Sequence, residues 1–158
     1  MIGIYPKVLI LGTLPSKKSL ELQQYYGHPR NTFWKILFIL FNRPFSSNYN
    51  NKKLLAIENS IAIWDVCYTA VRKGSLDSAI KDEIPNKIDE LIEDNPSINT
   101  IAFNGQKAAK LYAKYFPKFD NINYITLVST SPANAKFDFE DKLENWSQIK
   151  LIIDNDNF

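Results

Sequence analysis

Residues 25–34 concentrate side chains that could bind and position a ligand. The segment reads Tyr-Tyr-Gly-His-Pro-Arg-Asn-Thr-Phe-Trp and holds the chain's only histidine, an arginine, an amide and four aromatic rings. Aromatic rings stack on flat groups, whereas amide, imidazole and guanidinium groups form directed hydrogen bonds. The segment therefore predicts a pocket that stacks on a flat ligand and positions a polar group beside it.

The elements around this pocket alternate between strand and helix. Four apolar runs are typical of buried parallel strands, at residues 7–12, 60–66, 99–104 and 122–128. Helical patterns lie at residues 32–42, 53–58, 84–93, 106–115 and 140–153, and residues 46–52 are either a polar loop or the start of the second of these helices. A turn-rich insertion without periodicity lies at 67–82. The alternation predicts a three-layer α/β/α sandwich around a parallel sheet of about four strands. We expect one domain over residues 1–158, with a frayed tail at 154–158.

The polar ends of the four strands should meet, because parallel strands point the same way. Turn-forming or polar residues follow each run, at 12–16, 64–65, 104–105 and 129–135. In open α/β sheets, ligands bind beyond the carboxyl ends of the strands. We therefore expect these strand ends to share one site with the segment 25–34.

Composition and motifs exclude several classes of protein. The chain has 158 residues and a formal charge of +2, which permits a nucleic-acid partner without requiring one. It lacks the glycine-rich loops of nucleotide sites and the Gly-x-Ser-x-Gly elbow of hydrolases. One cysteine, Cys67, excludes an internal disulfide and a cysteine-ligated metal site, and we expect a buried, inert thiol. Without a signal peptide or an apolar run near ~20 residues, we expect a cytoplasmic protein with no membrane partner.

Six motifs together resemble the uracil-DNA glycosylase superfamily. They lie at residues 11–16, 25–34, 64–66, 74–77, 103–105 and 129–135 and are most similar to the hypoxanthine-DNA (deoxyinosine) glycosylase branch. The resemblance covers residues 7–150. It implies an enzyme that flips a damaged base out of DNA and hydrolyses its N-glycosidic bond. It also implies that no metal or cofactor is needed, and we expect a monomer.

The resemblance implies roles for individual residues. Asn31 takes the place of the asparagine that orients the attacking water. From its own chemistry, His28 is a second catalytic candidate that contacts a phosphate or stabilises the leaving base, and a plain turn histidine before Pro29 is the alternative. Tyr26 takes the place of the base-stacking aromatic, and Asn104 that of the amide that reads the edge of the base. Leu14 belongs to the base pocket. DNA contacts are implied for Ser16, Arg30, Ser129, Ser131, Pro132 and Asn134.

Two departures from the superfamily's pattern bear on the substrate. Leu14 precedes the proline where Asp or Asn normally stands, which gives the water-orienting role to Asn31 and disfavours uracil. Ser129 stands where uracil enzymes often place His or Asn, and the small Ala133 lies near the wedge position. We expect weaker stabilisation of the leaving group at this second motif.

The same residues allow simpler interpretations. Asn31 could be a helix cap, Tyr26 could belong to the core, and Asn104 could lie in a plain strand-to-helix turn. Other functions stay open as well. These are a uracil or mismatch-specific DNA glycosylase, a non-catalytic nucleic-acid-binding domain of the same fold, and a hydrolase of free nucleosides.

Overall fold

The computed structural model describes residues 1–72 and 80–155. In chain order its elements are β1 (Val8–Gly12), α1 (Lys17–Leu22), α2 (Phe33–Leu40), α3 (Tyr49–Glu58), β2 (Ile61–Asp65), β3 (Cys67–Arg72), β4 (Ile80–Pro85), α4 (Ile88–Glu93), β5 (Thr100–Asn104), α5 (Gln106–Tyr115), β6 (Asn123–Leu127) and α6 (Phe139–Asn155).

The central sheet has four parallel strands in the order β2-β1-β5-β6. Every residue of β1 and β5 is buried, which explains why these strands are continuous apolar runs in the sequence. In the register, Gly12 lies beside Asp65, and Leu11 lies beside Phe103. The carboxyl ends of β1, β2 and β5 therefore lie at nearly the same level and form one edge.

Helices cover both faces of the sheet. Val8 and Ile10 of β1 pack in one apolar cluster with residues of α2, α3 and α6. Leu9 and Leu11, which point to the opposite face, pack in a second cluster with α4 and α5. The predicted three-layer sandwich with a four-stranded parallel sheet is confirmed.

The prediction for residues 67–93 is wrong in two respects. An antiparallel hairpin of β3 and β4 replaces the insertion without periodicity, and the helix begins at Ile88 rather than at residue 84. Ile84 belongs to β4 and is 56% exposed, so it is not the first apolar residue of a helix. Register shifts along the hairpin interrupt the alternation that would identify strands. The motif at 74–77 lies outside the described residues.

The helices differ from the prediction at two places. The short helix α1 has no predicted counterpart; its N-cap is Ser16, whose Oγ accepts a hydrogen bond from the Ser19 amide at 3.1 Å. Helix α3 begins at Tyr49, within the segment 46–52 that the sequence leaves open as a loop or a helix start. Helix α6 continues to Asn155, so residues 154 and 155 are helical, and residues 156–158 lie outside the described part of the chain. Every helix that the structure describes is too short or too polar to span a bilayer.

Cys67 lies at the start of β3 and is only 1% exposed. Burial raises the pKa of its thiol to about 11, and the carboxylates of Glu83 and Asp65 add to this effect. Because the thiolate is the reactive form, we expect Cys67 to resist alkylation at pH 8 in the folded protein and to react promptly in guanidinium. Thiol titration with a chromogenic disulfide under both conditions checks this, and full reaction in the native state would contradict a buried, inert thiol.

Candidate active site

A cavity of about 380 Å³ opens at the carboxyl edge of the sheet. Its size is typical of small-molecule sites. The predicted residues that line it are Leu14, Ser16, Tyr26, Asn31, Asn104, Ser129 and Ser131. His28, Arg30, Pro132 and Asn134 belong to the same two segments but are not part of the lining. The structure therefore brings together most of the predicted site residues, which come from four separate stretches of the chain.

Gly12, at the end of β1, makes room for two polar groups. A Cβ atom at this position would overlap Oδ1 of Asp65 and lie 3.2 Å from the hydroxyl oxygen of Tyr26. Gly12 and Asp65 are buried, and both line the cavity. The missing side chain thus lets a carboxylate and a phenol approach the same point at the inner end of the site.

Asp65 is the one carboxylate among the lining residues that the structure describes, and it is 7% exposed. The sequence places it at a strand end without giving it a role. Its backbone carbonyl accepts a hydrogen bond from Nδ2 of Asn86 at 2.8 Å, which ties the end of β2 to the residue after β4. A carboxylate accepts hydrogen bonds at two oxygens with about four lone-pair sites, so Asp65 can receive a donor from a ligand beside its protein contacts.

Asn31 is held in a defined orientation at the start of α2. Its amide N–H donates to the carbonyl of His28 at 2.9 Å, and its Oδ1 accepts from the amide of Phe33 at 3.0 Å. This second bond identifies the oxygen and the nitrogen of the Asn31 side-chain amide, and it leaves one lone pair of Oδ1 available. Among the described residues, Nδ2 has no hydrogen-bond partner. Asn31 therefore satisfies the helix start and still presents both a donor and an acceptor to the cavity.

Tyr26 lines the cavity with a ring supported from behind. Its ring stacks on that of Phe33, with centroids 3.9 Å apart and planes at 26°. Phe33 is fully buried and makes edge contacts with Trp34 and Trp146. Tyr26 also has a φ of 52°, a backbone conformation that bulky residues rarely adopt. The ring is thus a fixed surface of the cavity, anchored to the core.

Asn104 bonds reciprocally with the loop after β6. Its Nδ2 donates to Oγ1 of Thr130, and its Oδ1 accepts from the Thr130 amide, both at 2.9 Å. Thr130 is fully buried, and its carbonyl accepts from the amide of Thr32 at 3.2 Å. Two of the four hydrogen bonds that the Asn104 amide can form are therefore committed to the protein, and one donor and one acceptor remain.

Two phenols complete the wall beside α3. The hydroxyl of Tyr49 accepts from the amide of Tyr25 at 3.0 Å, and both residues line the cavity. Burial raises the pKa of Tyr25, and the nearby Asp65 carboxylate and Tyr49 raise it further. Burial likewise raises the pKa of Tyr49. Both phenols are therefore protonated near neutral pH and can act as hydrogen-bond donors.

His28 and Arg30 form a turn outside the cavity lining. Nδ1 of His28 accepts from the Arg30 amide at 3.2 Å, so the neutral ring carries its proton on Nε2. The Arg30 residue is exposed. This placement fits a contact with a phosphate better than a contact with the reacting base.

Comparison with known proteins identifies the family. The model of the uracil DNA glycosylase superfamily matches residues 2–150. A hypoxanthine DNA glycosylase from Methanosarcina acetivorans is 37% identical over 146 residues, which cover 90% of this chain and 89% of the relative. Another from Methanosarcina barkeri is 34% identical over 145 residues, with the same coverage. The solution structure of a Methanosarcina acetivorans protein, provisionally called a uracil DNA glycosylase, has a TM-score of 0.80 and 32% identity and covers 97% of this chain and 94% of that one.

This chain therefore belongs to the uracil DNA glycosylase superfamily, as its motifs predict. The predicted similarity to the hypoxanthine branch is confirmed by the names of the two relatives. The residues that sequence reasoning did not select are Gly12, Asp65 and Thr130. Their positions directly after or at the end of predicted strands are the signal that could have pointed to them.

Proposed function

We propose that this protein is a monofunctional DNA glycosylase that removes hypoxanthine from DNA. The observation that carries the proposal is the convergence of Tyr26, Asn31, Asp65 and Asn104 on one cavity in a member of this superfamily. Relatives named for hypoxanthine excision cover nine-tenths of the chain and support the choice of base. The enzyme is also proposed to act as a monomer on cytoplasmic DNA.

The inner end of the cavity suits the edge of a deaminated base. Hypoxanthine carries N1–H and a carbonyl where adenine carries a bare ring nitrogen and an amino group. The Asp65 carboxylate only accepts hydrogen bonds, so it binds the N1–H of hypoxanthine and repels the lone pair of adenine. The remaining N–H of Asn104 can donate to the carbonyl of the base. Together these two side chains discriminate a deaminated purine from its parent.

The upper part of the cavity suits the sugar and the attacking water. Tyr26 stacks on the base, and Asn31 holds a water molecule through its remaining lone pair. The C1′–N9 bond breaks with its electron pair going to the base, and the water oxygen bonds to C1′. The water loses one proton and the base gains one, so the products are free hypoxanthine and an abasic sugar. Asn31 contributes by positioning the water before the oxocarbenium-like sugar forms.

The partly exposed segments beside the cavity are proposed to hold the DNA backbone. Ser16, Ser129 and Ser131 line the opening, and Arg30 and His28 lie on the adjoining turn. Hydroxyl, guanidinium and imidazole groups all donate to phosphate oxygens. Pro132 and Asn134 belong to the loop proposed to enter the duplex when the base leaves the stack.

A uracil glycosylase is the second candidate, because uracil presents the same pair of groups. Its N3–H and a neighbouring carbonyl could meet Asp65 and Asn104 in the same manner. The structural relative provisionally called a uracil DNA glycosylase favours this alternative. Leu14 disfavours uracil excision, because an apolar side chain stands in the cavity wall where the first motif normally has a polar residue.

Product analysis tests the reaction class. Incubation of a hypoxanthine-containing oligonucleotide should release free hypoxanthine and leave an abasic site that is cleaved only after alkali treatment. Deoxyinosine as a free nucleoside should not be hydrolysed at a comparable rate. Hydrolysis of the nucleoside alone would indicate a nucleoside hydrolase, and DNA binding without release of any base would indicate a non-catalytic domain.

Removal of the Asn104 amide should blur base selection more than it weakens duplex affinity. We expect Asn104→Ala to lower the ratio of hypoxanthine to adenine release, because the donor that bonds the carbonyl of the deaminated base is lost. Thr130→Val is the matched control, since it removes the hydroxyl that accepts from Asn104 and keeps the Asn104 amide. Single-turnover base release from a hypoxanthine-containing duplex and from the matching adenine duplex measures the ratio. Equal effects of the two variants would mean that Asn104 only holds the loop.

A further inference from the structure

The loop at residues 128–134 is attached to α6 at both ends. At its beginning, the Val128 amide donates to Oδ1 of Asn145 at 2.7 Å, and Nε1 of Trp146 donates to the Val128 carbonyl at 2.8 Å. At its end, Nζ of Lys142 donates to the Asn134 carbonyl at 3.0 Å. Three side chains within two turns of one helix therefore hold the backbone at the two ends of this loop.

The loop is also bonded within itself. Nδ2 of Asn134 donates to the Ser129 carbonyl at 3.1 Å, and the Asn134 amide donates to the Ser131 carbonyl at 3.0 Å. Thr130, between them, is fully buried against Asn104 and Thr32. The segment is thus a preformed, braced turn rather than an open connection. Ser129 and Ser131 still face the cavity.

Lys142 is an unusual group in this anchor. It is 5% exposed, although lysine is almost never buried to this extent. Burial lowers the pKa of its ammonium group, which the Asp138 carboxylate partly opposes. A buried charge is costly unless it is hydrogen-bonded, and an apolar side chain of similar length could fill the same space. Packing alone therefore does not explain a lysine at this position. The hydrogen bond from its ammonium group to the Asn134 carbonyl indicates that it holds the loop.

The same helix supports the base-stacking wall. The Trp146 ring meets the ring of Phe33 edge to face, with centroids 5.5 Å apart, and Phe33 carries Tyr26. Helix α6 therefore contacts both the loop and the ring that supports Tyr26. Opening a duplex costs a few kcal/mol of unstacking, which a loop without support could not oppose.

We infer that Lys142 is a positioning residue that braces the 128–134 loop against double-stranded DNA, so that the enzyme takes its base from a duplex. The inference rests on the proposed glycosylase function. The loop needs support only where a paired, stacked base must be displaced. A base in a flexible single strand reaches the cavity without this step, so its release does not depend on the anchor.

The test compares release of hypoxanthine from a duplex and from the single strand of the same sequence. Lys142→Met should slow release from the duplex by about 10–100-fold, the loss expected for a hydrogen bond to a charged group, and leave single-strand release within about twofold. Lys142→Arg should retain most of the duplex rate. Lys150→Met is the matched control, because it removes a surface lysine of the same helix that pairs with Asp154. Asn145→Ala, which removes one of the two hydrogen bonds at the other end of the loop, should repeat the duplex-selective loss even if Lys142→Met does not fold.

Salt dependence separates a brace from a direct phosphate contact. The slope of log binding constant against log salt should be the same for Lys142→Met and the wild type. A slope smaller by about 0.9 would show that Lys142 contacts a phosphate, and this would overturn the positioning role. Equal losses on both substrates, or wild-type rates on the duplex for both anchor variants, would overturn it as well. If the wild type releases no base from either substrate, the proposed function fails and this inference fails with it.

Discussion

Asn31→Ala will reduce hypoxanthine release from DNA by about 10²–10³-fold, the loss typical of removing one preorganised polar group from a reacting centre. Oδ1 of the Asn31 side chain accepts a hydrogen bond from the backbone N–H of Phe33 at 3.0 Å, and it presents its second lone pair to the cavity. Removing it leaves the attacking water without an orienting acceptor. Duplex affinity should change little, because the proposed phosphate contacts lie on other residues. Single-turnover release and a binding titration on the same duplex measure the two effects.

A second variant separates catalysis from helix capping at this position. The N-cap of α2 is Thr32, and Asn31 supports the helix start by accepting the Phe33 N–H at its Oδ1. A serine hydroxyl can accept this N–H but has no amide, so Asn31→Ser should retain the thermal stability of the wild type and be as inactive as Asn31→Ala. The alanine variant should also be less stable by about 1 kcal/mol. Full activity of the serine variant would show that Asn31 only begins the helix, and the catalytic role would have to be given to another residue.

Asp65→Asn will remove most of the discrimination between a deaminated purine and its parent. In the proposed site the carboxylate accepts the N1–H of hypoxanthine and rejects the N1 lone pair of adenine, whereas an amide can accept or donate and so would tolerate both. Loss of a hydrogen bond to a charged group corresponds to about 1.5–3 kcal/mol, or roughly 10–150-fold in hypoxanthine release. Inhibition by free hypoxanthine and free adenine reports the discrimination directly, and the ratio of their inhibition constants should approach one in the variant.

Asp120→Asn is the matched control, because it removes an exposed carboxylate from the loop before β6 and should leave both inhibition constants unchanged. Thermal unfolding of the two variants shows whether the buried carboxylate also stabilises the fold. If Asp65→Asn retains the wild-type ratio of inhibition constants, Asp65 does not contact the base and selection depends on Asn104 and the shape of the cavity.

The sheet could be predicted closely because its strands are buried on both faces. Residues 8–11 of β1 are fully buried, and such continuous apolar runs have few alternative interpretations. The hairpin of β3 and β4 could not be predicted in the same manner. Its pairing is shifted between Cys67 and Val71, so no regular alternation marks the strands in the sequence.

Residues of the candidate site could be predicted where they belong to one local sequence motif. They could not be predicted where the proposed role depends on a contact between residues that are far apart in the sequence. Asn31 and Tyr26 belong to one compact segment. Asp65 gains its role from the missing side chain at Gly12, which lies on another strand. Lys142 lies on a predicted helix, but a lysine in a helical pattern is ordinarily assigned to the exposed face. Only the folded chain shows that it is buried beneath the Asn134 carbonyl.

The most direct test of the proposed function is single-turnover base release from one labelled duplex series carrying hypoxanthine, uracil, xanthine or no lesion. We predict that hypoxanthine is released faster than uracil and that the undamaged duplex is left intact. This outcome would establish the chain as a hypoxanthine-directed member of its superfamily. Release of uracil alone would contradict that account and show that Leu14 does not exclude uracil, and release from no duplex would contradict catalysis itself.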